Sequence, residues 1–238
     1  MRGEGFKASK SFPLDPRPSS LVPRAQNMNI RSHATTALLR SLALALSLSA
    51  LAACGEKPPQ IPRLGPDDVV LAFGDSLTYG TGATPEEAYP NVLAKLIHRN
   101  VVGAGVPGET TADGLERLPA VLEEVKPRLL LLCMGGNDML RRMDSASIES
   151  NLRAMVQMAK SRGIGVVLIG VPEPALFGGT AAVYGKLADE QRVPFEGKIL
   201  REVLFDSQLK SDQIHPNGRG YRRLAEAIAD MLRKAGAV

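Results

Sequence analysis

The chain has 238 residues, 44% of them apolar and 23% charged, with two cysteines, no tryptophan and a formal net charge of +4. That length fits one or two domains of roughly 150 residues; the apolar share excludes a disordered or fibrous chain, and two cysteines can build neither a disulfide framework nor a four-ligand zinc site. The basic excess sits in residues 1–53, with seven Lys/Arg against two acids, while the remainder carries 22 basic and 23 acidic residues and lacks the charge of a nucleic-acid-binding body.

In chain order, residues 1–27 are polar and proline-bearing and precede Met28, so they read as an overlong start that carries no fold. Residues 28–54 read as a signal peptide. The uncharged run SLALALSLSALAA (41–53) has 13 residues, too few for a bilayer core that needs about 20, and Arg31 and Arg40 form its positive flank. Leu51-Ala52-Ala53-Cys54 resembles the lipobox of bacterial lipoproteins. That resemblance implies lipid on Cys54, an anchor in a membrane and a periplasmic location, with Gly55 favouring the outer membrane. Residues 55–67 (GEKPPQIPRLGPD) hold four prolines and read as an extended tether. The folded domain is expected over 68–238.

Three apolar runs follow: Val69–Phe73, Leu129–Met134 and Val166–Ile169. None alternates with polar residues, which predicts strands buried on both faces of a parallel sheet. Val101-Val102 and Val193-Pro194-Phe195 are two further candidates. Helices are expected over 86–98 and 110–125, with Pro90 and Pro119 near starts or breaks. A third should open near Ser147, with Ile148, Leu152, Met155, Val156 and Ala159 on one face. A fourth carries Tyr221, Leu224, Ala225, Ile228 and Leu232 between Asn217-Gly218 and Gly236. This alternation predicts an α/β fold, a three-layer α/β/α sandwich on a mostly parallel five-stranded sheet.

Ligands of such sheets sit beyond the carboxyl ends of the strands. The polar blocks there are Gly74-Asp75-Ser76-Leu77-Thr78, Gly103 to Thr110, Gly135-Gly136-Asn137-Asp138 and, before the last helix, Ser211 to Asn217. A serine hydroxyl needs a neighbouring base to become a nucleophile, and imidazole suits that task. Of three histidines, His33 lies in the leader and His98 on a helical stretch without serine or carboxylate around it, which leaves His215. Asp212, three residues earlier, can turn back to the imidazole Nδ1–H and aim Nε2 at Ser76. Ser76 as a helix N-cap, Asn137 as a left-handed turn residue and Gly108 as a turn glycine remain open on these grounds alone. Asp75 and Asp138 read as loop braces and Cys133 as a packing residue.

Gly74-Asp75-Ser76-Leu77, a glycine after the second strand, Gly135-Gly136-Asn137-Asp138 and Asp212-x-x-His215-Pro216 together resemble the SGNH (GDSL) hydrolase family over about residues 68–235. The likeness is to its bacterial periplasmic thioesterase/arylesterase/lysophospholipase branch. It implies a flavodoxin-like fold, Ser76 as nucleophile, Asp212 and His215 as its dyad, and an oxyanion hole from Ser76, Gly108 and Asn137. No metal or organic cofactor is implied, and the partner is a small acyl ester or thioester. The loop Met139–Asp144 would then lie along the acyl chain, unless it is a solvated basic loop. Gly103-x-Gly105-x-x-Gly108 mimics a dinucleotide fingerprint, but it follows the second strand, lacks an acid at the next strand's end and has Pro107 inside the amide cradle. A carbohydrate O-deacetylase and a non-catalytic ligand-binding lipoprotein are the alternative functions.

Overall fold

The apolar runs of the sequence become the middle of a sheet. In the computed structural model, which describes residues 60–174 and 179–238, β1 (Val69–Gly74), β3 (Leu129–Cys133) and β4 (Gly165–Ile169) are flanked by β2 (Asn100–Gly105) and β5 (Phe195–Glu196). All four pairings are parallel, in the order β2-β1-β3-β4-β5. Val70 to Phe73 and Leu129 to Cys133 are fully buried. Water reaches neither face of these strands, and that is why their sequences do not alternate.

The helices are α1 (Ser76–Tyr79), α2 (Tyr89–Ile97), α3 (Thr111–Val125), α4 (Gly136–Leu140), α5 (Ser145–Ser161), α6 (Ala182–Gln191), α7 (Ile199–Phe205) and α8 (Gly218–Lys234). α2 and α7 pack on α8 over one face of the sheet, while α3, α5 and α6 pack in series over the other. α8 shows how the sequence specifies this packing. Tyr221, Leu224, Ala225, Ile228, Ala229 and Leu232 recur at helical spacing and are all buried, each large one contributing roughly 1.5–3 kcal/mol. The Asn217 side chain caps the helix by accepting from the Gly220 amide at 3.1 Å. Arg233 and Lys234 meet the negative end of its dipole.

Several sequence expectations shift. α3 runs through Pro119, which removes one ladder hydrogen bond without ending the helix. α5 opens at Ser145, because Asp144 caps it by accepting the Ser147 amide at 3.0 Å. The last strand is Phe195–Glu196: Pro194 contributes only its carbonyl, to the Leu168 amide at 2.9 Å. Gly103 and Gly105 belong to β2 rather than to the loop after it. The proline-rich segment is not all tether, since Ile61 and Leu64 are 6% and 2% exposed and Leu64 donates to the Ala237 carbonyl at 2.8 Å. Residues 57–238 accordingly form one compact unit with its own core. The leader and the expected lipid-attachment residue Cys54 lie outside the described residues, as do residues 175–178.

Candidate active site

The strand order dictates where a site can form. Chain leaving β1 travels toward β2 at one edge, and chain leaving β3 travels toward β4 on the other side. The carboxyl ends of β1 and β3 therefore part into a crevice. Ser76 follows β1, Gly108 follows β2 and Asn137 follows β3, and all three line one cavity of ≈ 700 Å³ together with His215.

Asp75 makes the turn out of β1. Its Oδ1 accepts the Leu77 amide at 3.0 Å and so caps α1, which puts Ser76 at the first helical position rather than at the cap. β2 must pass very close to this turn. A Cβ on Gly105 would collide with the Tyr79 nitrogen and the Thr78 carbonyl carbon, so this glycine serves backbone packing and not a phosphate cradle. Asp75 is 1% exposed, and burial pushes its carboxyl up from 3.8 to about 6, against the opposing pull of the Leu77 amide and of His215.

His215 arrives from 139 positions further along the chain, and its Nε2 lies 3.0 Å from Ser76 Oγ. Its Nδ1 is 2.8 Å from Asp212 Oδ2, while Asp212 Oδ1 accepts the Ile214 and His215 amides, each at 2.8 Å. Partial burial pushes the Asp212 carboxyl up, but the His215 imidazole and those two amides outweigh it and hold the pKa below its ordinary value. The loop is pinned at both ends. Ser211 N–H donates to the His215 carbonyl at 2.9 Å, and Asn217 Nδ2 donates to the Gln208 and Lys210 carbonyls at 3.0 and 3.2 Å. His98, by contrast, is an exposed left-handed cap at the end of α2.

Asn137 is the second residue of α4, and the left-handed position belongs to Gly135 (φ 115°). The turn-residue alternative for Asn137 therefore fails. One Asn137 Nδ2 hydrogen goes to the Glu109 carbonyl at 3.0 Å; the other faces Asp75 Oδ2 at 3.4 Å, a weak contact. Gly108 takes φ 82°, which a side chain would strain, and its carbonyl accepts from Arg141 at 2.8 Å. The loop after α4 thus holds the loop after β2. Of the Met139–Asp144 segment, Leu140 lines the cavity and Arg141 is spent on this bond.

Two braces stand behind these donors, and of their members only Asp138 was expected from the sequence. Arg117 grips Glu109 with two bonds of 2.6 Å, reaches the Ala104 carbonyl at 3.2 Å and stacks 4.1 Å from the Phe73 ring centre. Asp138, 1% exposed, accepts the Thr111 amide and hydroxyl at 2.9 and 2.5 Å, and so ties α3 to α4. An acid just before α3 with an arginine two turns into it was the available signal for the first brace. In the second, the reading of Asp138 as a brace holds, but its partner Thr111 lies 27 residues away and left no local trace. The remaining walls of the cavity are mostly apolar and include Leu77, Val171, Leu204, Phe205 and Ile214.

Residues 72–223 match the GDSL-like Lipase/Acylhydrolase family. Thioesterase 1/protease 1/lysophospholipase L1 of Escherichia coli K12 is 34% identical over 178 residues, covering 71% of this chain and 86% of that protein. The arylesterase of Vibrio mimicus is 32% identical over 207 residues, covering 82% and 98%. The crystal structure of TesA superposes with a TM-score of 0.65 at 31% identity, covering 71% of this chain and 99% of its own. Sequence, fold and the convergence of four polar blocks on one crevice agree, and this chain belongs to the GDSL-like lipase/acylhydrolase family.

Proposed function

We propose that this protein hydrolyses acyl esters and thioesters through an acyl-enzyme on Ser76. His215 Nε2, 3.0 Å from the hydroxyl, takes its proton as Oγ attacks the acyl carbonyl. Asp212 keeps the Nδ1–H tautomer and stabilises the imidazolium that forms. The oxyanion is received by the Ser76 and Gly108 amides and by Asn137 Nδ2, which gives up its long contact with Asp75. His215 then passes the proton to the leaving oxygen or sulfur, and water repeats the sequence to release the acid. The observation that carries this reading is the unbroken line Ser76 Oγ, His215, Asp212 at 3.0 and 2.8 Å.

The relatives' names, a thioesterase/lysophospholipase and an arylesterase, support both leaving groups. The apolar walls favour acyl chains over acetyl groups on a sugar. Hydrolysis of p-nitrophenyl butyrate and of acyl-CoA by wild type and Ser76→Ala tests the assignment, with activity expected only in the former. Equal rates would reject it. Turnover of acetylated glycans with none of longer esters would replace it by O-deacetylation.

The leader supports a lipid-anchored, periplasmic form, with Cys54 as the attachment residue and the outer membrane as the destination. Labelled palmitate should enter the wild-type chain and not Cys54→Ser.

A further inference from the structure

The far end of the sheet from the catalytic cavity carries a larger concavity of ≈ 1360 Å³, bounded by the beginnings of β4 and β5 and by the last turn of α8. Five cations surround it, Arg63, Arg128, Lys160, Arg192 and Lys234, against two acids, Glu196 and Asp230. Both acids are engaged already. Glu196 Oε1 accepts the Lys198 and Ile199 amides at 2.8 and 3.0 Å, and Asp230 pairs with Arg233 at 3.1 Å. Lys160 donates to a neutral carbonyl, that of Gln191. Arg63, Arg128 and Lys234 are exposed and form no ion pair with a described residue. Because residues 54–238 carry 22 basic and 23 acidic side chains, this excess is local.

Lysines in the last turn of a helix answer its dipole, which accounts for Lys160 and Lys234. It does not account for Arg63, ahead of β1, or Arg128, immediately before β3, since neither belongs to a helix. The chain also enters the described domain here, with Gln60 to Arg63 on the wall of the concavity. Cys54 precedes Gln60 by six residues, a contour of at most about 22 Å.

We propose that this basic concavity docks on the anionic phospholipid headgroups of the membrane that holds the protein. The proposal rests on the reading of Cys54 as a lipid-attachment residue. Charge complementarity and the short reach from Cys54 both select a bilayer surface as the occupant, and the cations come from separate segments around a broad rim, as a surface of many headgroups requires. The pose has a consequence for supply. Six residues of β1 separate the two ends of the sheet, about 20 Å at 3.3 Å per residue, so the catalytic cavity opens away from the docked surface. Its esters then come from the aqueous side and not from acyl chains of the same leaflet.

The test uses residues 55–238, which contain the compact unit. They are mixed with vesicles of phosphatidylcholine alone or with phosphatidylglycerol added, at low and high salt. Binding to the anionic vesicles only, reversed by salt, is expected. Arg63→Gln/Arg128→Gln should bind about thirtyfold more weakly, each cation near an anionic surface contributing about fivefold, while p-nitrophenyl butyrate hydrolysis stays unchanged and reports the fold. Equal binding to both vesicles, or a double variant that binds as wild type, overturns the proposal. So does binding of inorganic phosphate as tight as vesicle binding and lost in the double variant, which assigns the concavity to a free anion. Palmitate incorporation in the full chain is scored separately. Palmitate without a vesicle preference removes the docking and keeps the anchor; vesicle preference without palmitate removes the anchor and keeps the docking.

Discussion

Replacing Asp75 by asparagine measures what a buried carboxyl costs at the nucleophile turn. Asp75 is 1% exposed, and burial raises its pKa from 3.8 to about 6. The native state therefore holds a proton that the unfolded chain releases, so this group withdraws stability as pH rises past the unfolded value and withdraws it fully above the folded one. The interval from 3.8 to about 6, at about 1.36 kcal/mol per pKa unit, corresponds to about 3 kcal/mol. Asparagine keeps an oxygen for the Leu77 amide but turns an NH2 toward Asn137, losing a long contact worth about 0.5–1.5 kcal/mol. Asp75→Asn should then be more stable than wild type by about 2 kcal/mol near pH 8, with the advantage fading toward about pH 3, below the unfolded value, where Asp75 is mostly neutral in both states. Urea unfolding of both proteins across that range isolates the term, because every other carboxylate is common to the two. An advantage independent of pH, or larger in acid, would refute the reasoning.

Asn137→Ala should lower kcat by about 10²–10³ with little change in KM, since it removes a donor used as charge develops; a kcat near wild type in a steady-state assay removes Asn137 from the oxyanion site. Asp212→Asn keeps an acceptor for the Ile214 and His215 amides but turns an N–H donor toward Nδ1, so kcat should drop by about 10⁴ while the thermal midpoint holds. Arg117→Ala strands Glu109, whose side chain is 7% exposed, and should cost about 3–5 kcal/mol in urea unfolding. Arg117→Met with Glu109→Gln should recover most of that loss; a single variant as stable as wild type would show the pair to be idle.

Much of this fold was legible because burial on both faces leaves a direct imprint. β1, β3 and β4 read as unbroken apolar runs, and α8 as a stripe of period 3.6. Segments with weaker imprints show faintly in the sequence, as β5 does in Val193-Pro194-Phe195, or not at all. β5 has two half-buried residues, and α1 and α4 have four and five, too short for any periodicity. α6 and α7 span ten and seven residues, too few turns to repeat a clear apolar stripe. The burial of Ile61 and Leu64 was hidden by the four prolines around them, whose local stiffness says nothing about what the segment packs on.

The site divides in the same way. Residue types in blocks at strand ends point to His215 as the base, with Asp212 three residues before it and Ser76 as its hydroxyl partner, because hydroxyl activation admits few side chains, whereas Gly108 and Asn137 as oxyanion donors follow from the family resemblance. Which blocks would meet is a non-local matter. The parallel order β2-β1-β3-β4-β5 opens the crevice, and it brings an imidazole within 3.0 Å of a hydroxyl 139 residues away. The raised pKa of Asp75, the Arg117–Glu109 brace and the cations gathered at the opposite end likewise come from packing between distant segments. Desolvation and charge proximity depend on distance in space, and the order of residues along a chain encodes that distance only once the chain has folded.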